Sequence, residues 1–209
     1  MEPLQKVTGV VVPLDRANVD TDSIVPARYL KRIERQGWGE TLFHDWRYGP
    51  DGELNRDFVL NKPGYEDARV LVAGRNFGSG SSREHAVWAV RQYGFRAVIS
   101  PGFADIFQKN CFENGLVPVI LPEEVVEKLM RKATEGPPYA LTVDLELCEV
   151  WDDAGFRAPF VVHTHPETHE FRRHTLLNGL DEIALTLKHE DEISAFEHKR
   201  PAWLTPAEG

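Results

Sequence analysis

Val70-Leu71-Val72-Ala73 runs straight into Gly74-Arg75-Asn76-Phe77-Gly78-Ser79-Gly80-Ser81-Ser82-Arg83-Glu84-His85. Four apolar residues without alternation predict a strand buried on both faces. The glycines that follow allow a tight turn. Arg83 to Tyr93 then reads as a helix, with Ala86, Val87, Val90 and Tyr93 inward and Gly94 just past its end. Ala97-Val98-Ile99 is a second strand, and Phe103 to Asn114 a second helix closed by Gly115. Leu116 to Leu121 is a third strand, and Pro122 opens a helix running to about Glu135. Apolar strands alternating with helices predict a parallel sheet covered on both faces.

Upstream, Val10-Val11-Val12 reads as a short strand. Pro26 is placed to start a helix, Gly37 to follow its end, and Tyr29, Leu30 and Ile33 to share one face. Residues 38–67 are irregular but aromatic, with Trp38, Phe43, Trp46, Tyr48, Phe58 and Tyr65. A loop of that length in a compact domain is functional or disordered, and the aromatics argue against disorder. The expectation is a lid or a partner contact, from Trp38 to Tyr48, that orders on assembly. Downstream, residues 141–147 alternate apolar and polar, which predicts a half-exposed antiparallel strand. Asp152 to Gly155 is a turn, Phe156 to Val162 a return strand, and about Leu180 to Lys199 a last helix with Leu180, Ile183, Ala184, Leu187 and Ile193 inward. The expected fold is one α/β domain over residues 1–209, with a mostly parallel sheet, a second antiparallel sheet and flanking helices.

Composition limits the function. The chain has 209 residues, 42% of them hydrophobic and 10% aromatic, enough for a proper core. The formal net charge is −9, which disfavours a nucleic-acid partner. No apolar run approaches the roughly 18–20 residues that span a bilayer. The first twelve residues lack the pattern of a secretory leader. A cytoplasmic protein is expected.

Two cysteines cannot supply the three or four thiolates of an iron–sulfur cluster. Cys111 falls on the apolar face of a helix and reads as buried, while Cys148 falls in the alternating strand. His163, His165, His169 and His174 lack a ligand spacing, so no metal is expected on this chain.

The turn before the helix is suited to an anion, because the first N–H groups of a helix and its dipole favour negative charge. It is not a dinucleotide turn, since Arg83 stands where a third glycine belongs, and it is not a phosphate loop, since no Gly-Lys-Ser/Thr follows. Ser81 and Glu84 have the spacing of a capping box. Capping leaves unexplained the second serine and the arginine, whose planar fork matches a carboxylate. Asp20-Thr21-Asp22 has the composition of a turn that caps a helix.

Gly80-Ser81-Ser82-Arg83-Glu84-His85-Ala86 resembles the signature of the swivel domain of the aconitase superfamily. Asp15-Arg16-Ala17-Asn18-Val19-Asp20-Thr21-Asp22, with Ile24 and Pro26, is similar to the N-terminal motif of 3-isopropylmalate dehydratase small subunits. Phe171-Arg172-Arg173-His174, residues 176–183, Glu190-Asp191-Glu192-Ile193, Phe196-Glu197 and residues 200–204 continue that resemblance, which covers essentially the whole chain.

The resemblance implies a hydro-lyase that isomerises 2-isopropylmalate to 3-isopropylmalate by dehydration and rehydration. It implies a [4Fe–4S] cluster held by a separate large subunit, which is the expected partner, and a small dicarboxylate substrate. It makes Ser81 the catalytic base, with Ser82 and Arg83 holding a substrate carboxylate and Asp22 nearby. It directs substrate choice to residues 29–33, where Leu30 with Ile33 forms an apolar wall and Arg32 or Lys31 faces a carboxylate, unless these are only one side of an ordinary amphipathic helix. Two alternatives stand beside this reading. One is a related dehydratase for homoaconitate, citraconate or a methylmalate-type substrate; the other is a non-catalytic anion-binding regulatory domain.

Overall fold

A computed structural model describes residues 1–80, 82–136 and 138–200. In chain order the elements are β1 (Lys6–Leu14), α1 (Thr21–Ile24), α2 (His44–Arg47), β2 (Val70–Ala73), α3 (Glu84–Tyr93), β3 (Ala97–Ser100), α4 (Asp105–Glu113), β4 (Val117–Ile120), α5 (Glu123–Glu135), β5 (Ala140–Asp144), β6 (Glu149–Trp151), β7 (Arg157–Pro159), α6 (Pro166–Asn178), α7 (Glu182–Leu187) and α8 (Glu190–His198). Three 3₁₀ turns add Ala27–Lys31, Trp38–Thr41 and Val59–Asn61.

The strands form one seven-stranded sheet in the order β4-β3-β2-β1-β5-β6-β7. β1 to β4 pair in parallel, and β5 to β7 continue antiparallel from the other side of β1. The parallel and antiparallel parts expected from the patterning are both present, and β1 joins them. Ile120 and Val161 exchange backbone hydrogen bonds, so β4 at one edge meets the chain just beyond β7 at the other. That contact shields two edges that would otherwise be open to pairing with another chain.

Both faces of the parallel part are buried. Val12, Leu14, Leu71, Ala73 and Val98 pack under α3 with Trp38, Leu42, Phe43 and Phe58. Val11, Val70, Val72, Ala97 and Ile99 point the other way, toward Val126, Leu129 and Ala133 of α5. This is the physical origin of the unbroken apolar runs: neither face has water to meet.

Several local expectations are corrected. The helix expected after Pro26 is a single 3₁₀ turn, and Ile33 is 95% exposed, so Leu30 and Ile33 do not share an inward face. Tyr29 and Leu30 pack on the core without Ile33. The strand at 141–147 is not half-exposed; Leu141 to Leu145 are all buried. Its polar side chains are satisfied inside, Thr142 with the Thr8 hydroxyl at 2.9 Å and Asp144 with Lys6 Nζ at 2.9 Å. Cys148 lies in the turn after β5, not in the strand, with φ at 52°. The last helix is divided. Gly179 closes α6 in a left-handed conformation, and Asp181 then caps α7 by accepting from Ala184 N–H at 2.9 Å. α7 and α8 bury no residue, and Ile183, Leu187, Ile193 and Phe196 are exposed.

The aromatic segment is folded onto this chain's own core. Trp38, Leu42 and Phe43 have no exposed surface. Phe43 N–H donates to Ile24 O at 2.8 Å, and Trp38 N–H to Gln92 Oε1 at 2.9 Å.

Candidate active site

Two loops at the carboxyl ends of adjacent parallel strands make the site. One follows β1 and the other, the glycine-rich turn, follows β2. Backbone bonds join them along their length: Gly74 N–H to Arg16 O at 2.9 Å, Asn18 N–H to Arg75 O at 2.8 Å, Gly78 N–H to Val19 O at 2.7 Å, and Thr21 N–H to Ser79 O at 2.8 Å. Asn18 and Asn76 both adopt positive φ, and the Asn76 Nδ2 donates to Asn18 Oδ1 at 3.0 Å. Asparagine tolerates that conformation better than most side chains.

The glycine-rich turn is anchored from below by Phe77, which is fully buried and packs edge-on to Phe107 at 5.2 Å between ring centres. Gly78 follows with φ at 79°, and a Cβ there would lie 2.1 Å from the Phe107 ring. Only glycine fits this close approach. The turn therefore delivers its following residues to the start of α3 in a set direction.

Among the expected site residues, the structure brings Asp22 and Arg83 together. Asp22 stands in the first turn of α1, whose cap is Asp20, accepting from Ser23 N–H at 2.6 Å. The Arg83 Nη1 donates to Asp22 Oδ1 at 2.5 Å. Asp22 is 54% exposed and Arg83 21%, so the pair faces outward. Ser82 beside it is exposed. Ser81, the expected catalytic base, lies outside the described residues. Leu30 is turned into the core, and Arg32 is exposed with its guanidinium 5.3 Å from the Tyr29 ring centre and Nη1 3.4 Å from Gly37 O. Neither is in contact with the Asp22–Arg83 pair.

Of the capping box expected from Ser81 and Glu84, Ser81 lies outside the described residues. α3 begins at Glu84 with Arg83 in the cap position, and Glu84 Oε1 accepts from Asn114 Nδ2 at 2.9 Å. That bond fixes α3 to the end of α4. His85 was not singled out by the sequence. It packs tilted against Trp38 at 4.5 Å and edge-on to Trp88 at 4.8 Å between ring centres. Burial lowers its pKa, aided by the Arg83 charge and opposed by Glu84. The signal that could have found it was its place directly after the serine–arginine turn, opposite the unexplained Trp38.

The donor set does not fit an iron–sulfur cluster. Cys111 is fully buried in α4 and burial pushes its thiol pKa well up, while Cys148 sits in the turn after β5. Among the described residues no three His, Cys, Asp or Glu side chains gather as a metal site. Nor is any described helix long and apolar enough to cross a membrane.

Comparison with known proteins agrees with this geometry. The model of the aconitase C-terminal domain matches residues 1–124, and that of the C-terminal domain of 3-isopropylmalate dehydratase small subunits matches residues 182–204. The 3-isopropylmalate dehydratase small subunit of Brevibacillus brevis is 52% identical over 96% of this chain and 100% of its own length. That of Rhodopirellula baltica is 57% identical over 92% of this chain and 95% of its own. The solved structure of a 3-isopropylmalate dehydratase from Methanocaldococcus jannaschii has the same fold, with a TM-score of 0.61 over 92% of this chain and 99% of that one at 23% identity. With a loop-joined serine–arginine turn, a match to the aconitase C-terminal domain and about half its residues shared over more than nine-tenths of its length, the chain belongs to the 3-isopropylmalate dehydratase small-subunit family.

Proposed function

We propose that this chain is the small subunit of a cytoplasmic 3-isopropylmalate dehydratase, a hydro-lyase of leucine biosynthesis that works only when joined to a large subunit. The identity of about half over more than nine-tenths of the chain to proteins so named carries this reading. In this proposal the large subunit would hold a [4Fe–4S] cluster, which would supply Lewis acidity.

This chain's part is to bind and to move a proton. Arg83 holds a substrate carboxylate through its planar fork. Its Nη1 is already turned by Asp22, so the remaining N–H groups are presented in one orientation. Ser82 donates a further hydrogen bond to that carboxylate. Ser81 takes the proton from the carbon beside it. A serine alkoxide is too basic to form in water, so the positive Arg83 and the start of α3 stabilise it in a site closed by the large subunit. The exposure of Asp22 and Ser82 supports an interface that is completed by another surface.

The test is reconstitution with a large subunit and assay on 2-isopropylmalate beside homoaconitate, citraconate and methylmalate. Isopropylmalate should be turned over best. Ser81→Ala should lower kcat by about 10²–10⁴-fold with assembly intact. Preference for another acid would move the chain to a neighbouring hydro-lyase, and near-normal turnover by Ser81→Ala would remove the serine from the chemistry.

A further inference from the structure

At the opposite end of the parallel strands from the glycine-rich turn, three guanidiniums line one cleft of about 310 Å³. Arg69 immediately precedes β2, Arg91 stands in the last turn of α3, and Arg96 immediately precedes β3. The four residues of β2, about 13 Å of extended chain, separate this cleft from the turn.

The cations there lack counter-charges. The net charge of the whole chain is −9, yet among the described residues these three arginines have one carboxylate partner, Glu2, at 3.7 Å from Arg91. Glu2 is 83% exposed, so the pair is weakly held. The other bonds go to main-chain carbonyls. Arg69 Nη1 donates to Gly94 O at 3.2 Å, and Arg96 Nη1 to Arg91 O at 3.1 Å and Phe95 O at 3.2 Å. The Arg91 guanidinium donates no hydrogen bond to the described residues, and its Nε is shielded from water without an acceptor. Lys6 also lines the cleft, but Asp144 neutralises it at 2.9 Å. Burial lowers the Arg96 pKa first, and the charges of Arg91 and Arg69 lower it further against the opposing charge of Glu2, so the three cations repel one another.

Capping the end of α3 accounts for one nitrogen of Arg96, through two carbonyls, and one of Arg69, through Gly94 O. It leaves Arg91 and the remaining N–H groups of Arg69 and Arg96 unexplained. Each guanidinium has five N–H donors in a planar fork, and most of the roughly fifteen here have no protein acceptor. Forks converging from three elements match an oxygen-rich, multiply charged ion. A cleft of about 310 Å³ has the size of a small-molecule site, at the lower end of the usual range.

We propose that the Arg69–Arg91–Arg96 cleft binds a small multivalent oxyanion, a phosphate or a tricarboxylate, separately from the serine–arginine turn. The site is independent of the dehydratase reading and needs no partner chain. Its occupant supplies the missing counter-charge and ties the start of β2, the end of α3 and the start of β3 together.

The experiment is titration of the full chain with inorganic phosphate in one arm and citrate in the other. Calorimetry follows binding, and the arginine Nε–Hε resonances locate it. Saturable binding at one site is expected in at least one arm, and the arm that binds more tightly names the ion. It should weaken at least about tenfold in Arg69→Gln/Arg96→Gln and persist in Arg83→Gln. It should also fall in roughly 0.5 M salt, where the Debye length is about 4 Å. If the double glutamine variant does not fold, Arg69→Lys/Arg96→Lys keeps the charge and loses the fork, and it should still bind more weakly than the unaltered chain. Shifts confined to Arg69, Arg91 and Arg96 in the unaltered chain support the site without any variant. Binding that is lost in Arg83→Gln, that is unchanged in both double variants, or that never saturates overturns it; so does saturable binding of poly-glutamate with none of phosphate or citrate.

Discussion

Gly78 is the residue on which the site's shape depends most. Its φ of 79° and a Cβ position 2.1 Å from the Phe107 ring leave no room for any side chain. Gly78→Ala should cost about 1–2 kcal/mol for the left-handed backbone and about 1–3 kcal/mol for the forced contact, read as a lowered urea midpoint at unchanged slope. Asp22 is the contrasting case. Its ion pair with Arg83 is half exposed, so Asp22→Asn should change stability by less than about 1 kcal/mol. The same change frees the Arg83 fork to rotate, and kcat/KM of the assembled enzyme should fall by up to about 10²-fold. A large drop in melting temperature with full turnover would make the pair structural instead. The sequence made Arg83 visible because a charged residue in a glycine-rich turn needs a reason, whereas Asp22 reads as part of a capping turn and reached the site only through the family resemblance. It did not show that they touch, because they stand 61 positions apart and only the pairing of β1 with β2 closes that distance.

Among the elements, the turn between β6 and β7 shows how a buried carboxylate staples several of them. Asp152 accepts from Lys132 Nζ of α5 at 2.5 Å, from the Tyr139 hydroxyl at 2.8 Å, and from Phe156 N–H at 2.8 Å. Burial alone would raise its pKa, but the Lys132 ammonium, the Phe156 N–H and the Tyr139 hydroxyl outweigh that and hold it at about 2, below the 3.8 of a free aspartate. The folded value lies below the unfolded one, so the stabilisation is complete above about pH 4 and is lost as pH falls toward about 2. It amounts to about 2 kcal/mol, and Asp152→Asn should flatten the acid limb of the stability profile over that window. The elements differ in how plainly the sequence announced them. β2, β3 and β4 were legible because burial on both faces leaves no polar residue to confuse the pattern. β5 was misjudged because Thr142 and Asp144 look like solvent positions and are instead matched by Thr8 and Lys6 of β1. The helix after Pro26 fails because Ile33 finds nothing to pack against, and 38–67 read as a loop because aromatic residues spaced without period give no sign of the surface they will cover.

On the scale of the whole molecule, the carboxyl-terminal helices are appended to a core that does not use them. Neither α7 nor α8 buries a residue, so a chain ending at Gly179 should unfold within about 1 kcal/mol of the full one, by urea titration. A loss of several kcal/mol would show that the core extends into them. β1 is the opposite: Val12 and Leu14 feed one core, Val7 and Val11 the other, and both edges are paired. This has a consequence for synthesis. β1 leaves the ribosome before the other strands of this sheet, but β5, which closes its second edge, ends at Asp144. At about 5–20 residues per second, the wait is on the order of ten seconds. Throughout that interval the nascent chain carries an apolar strand with an open edge, the form most prone to aggregate, and a ribosome stalled before residue 140 should yield insoluble chains where one stalled after residue 180 does not.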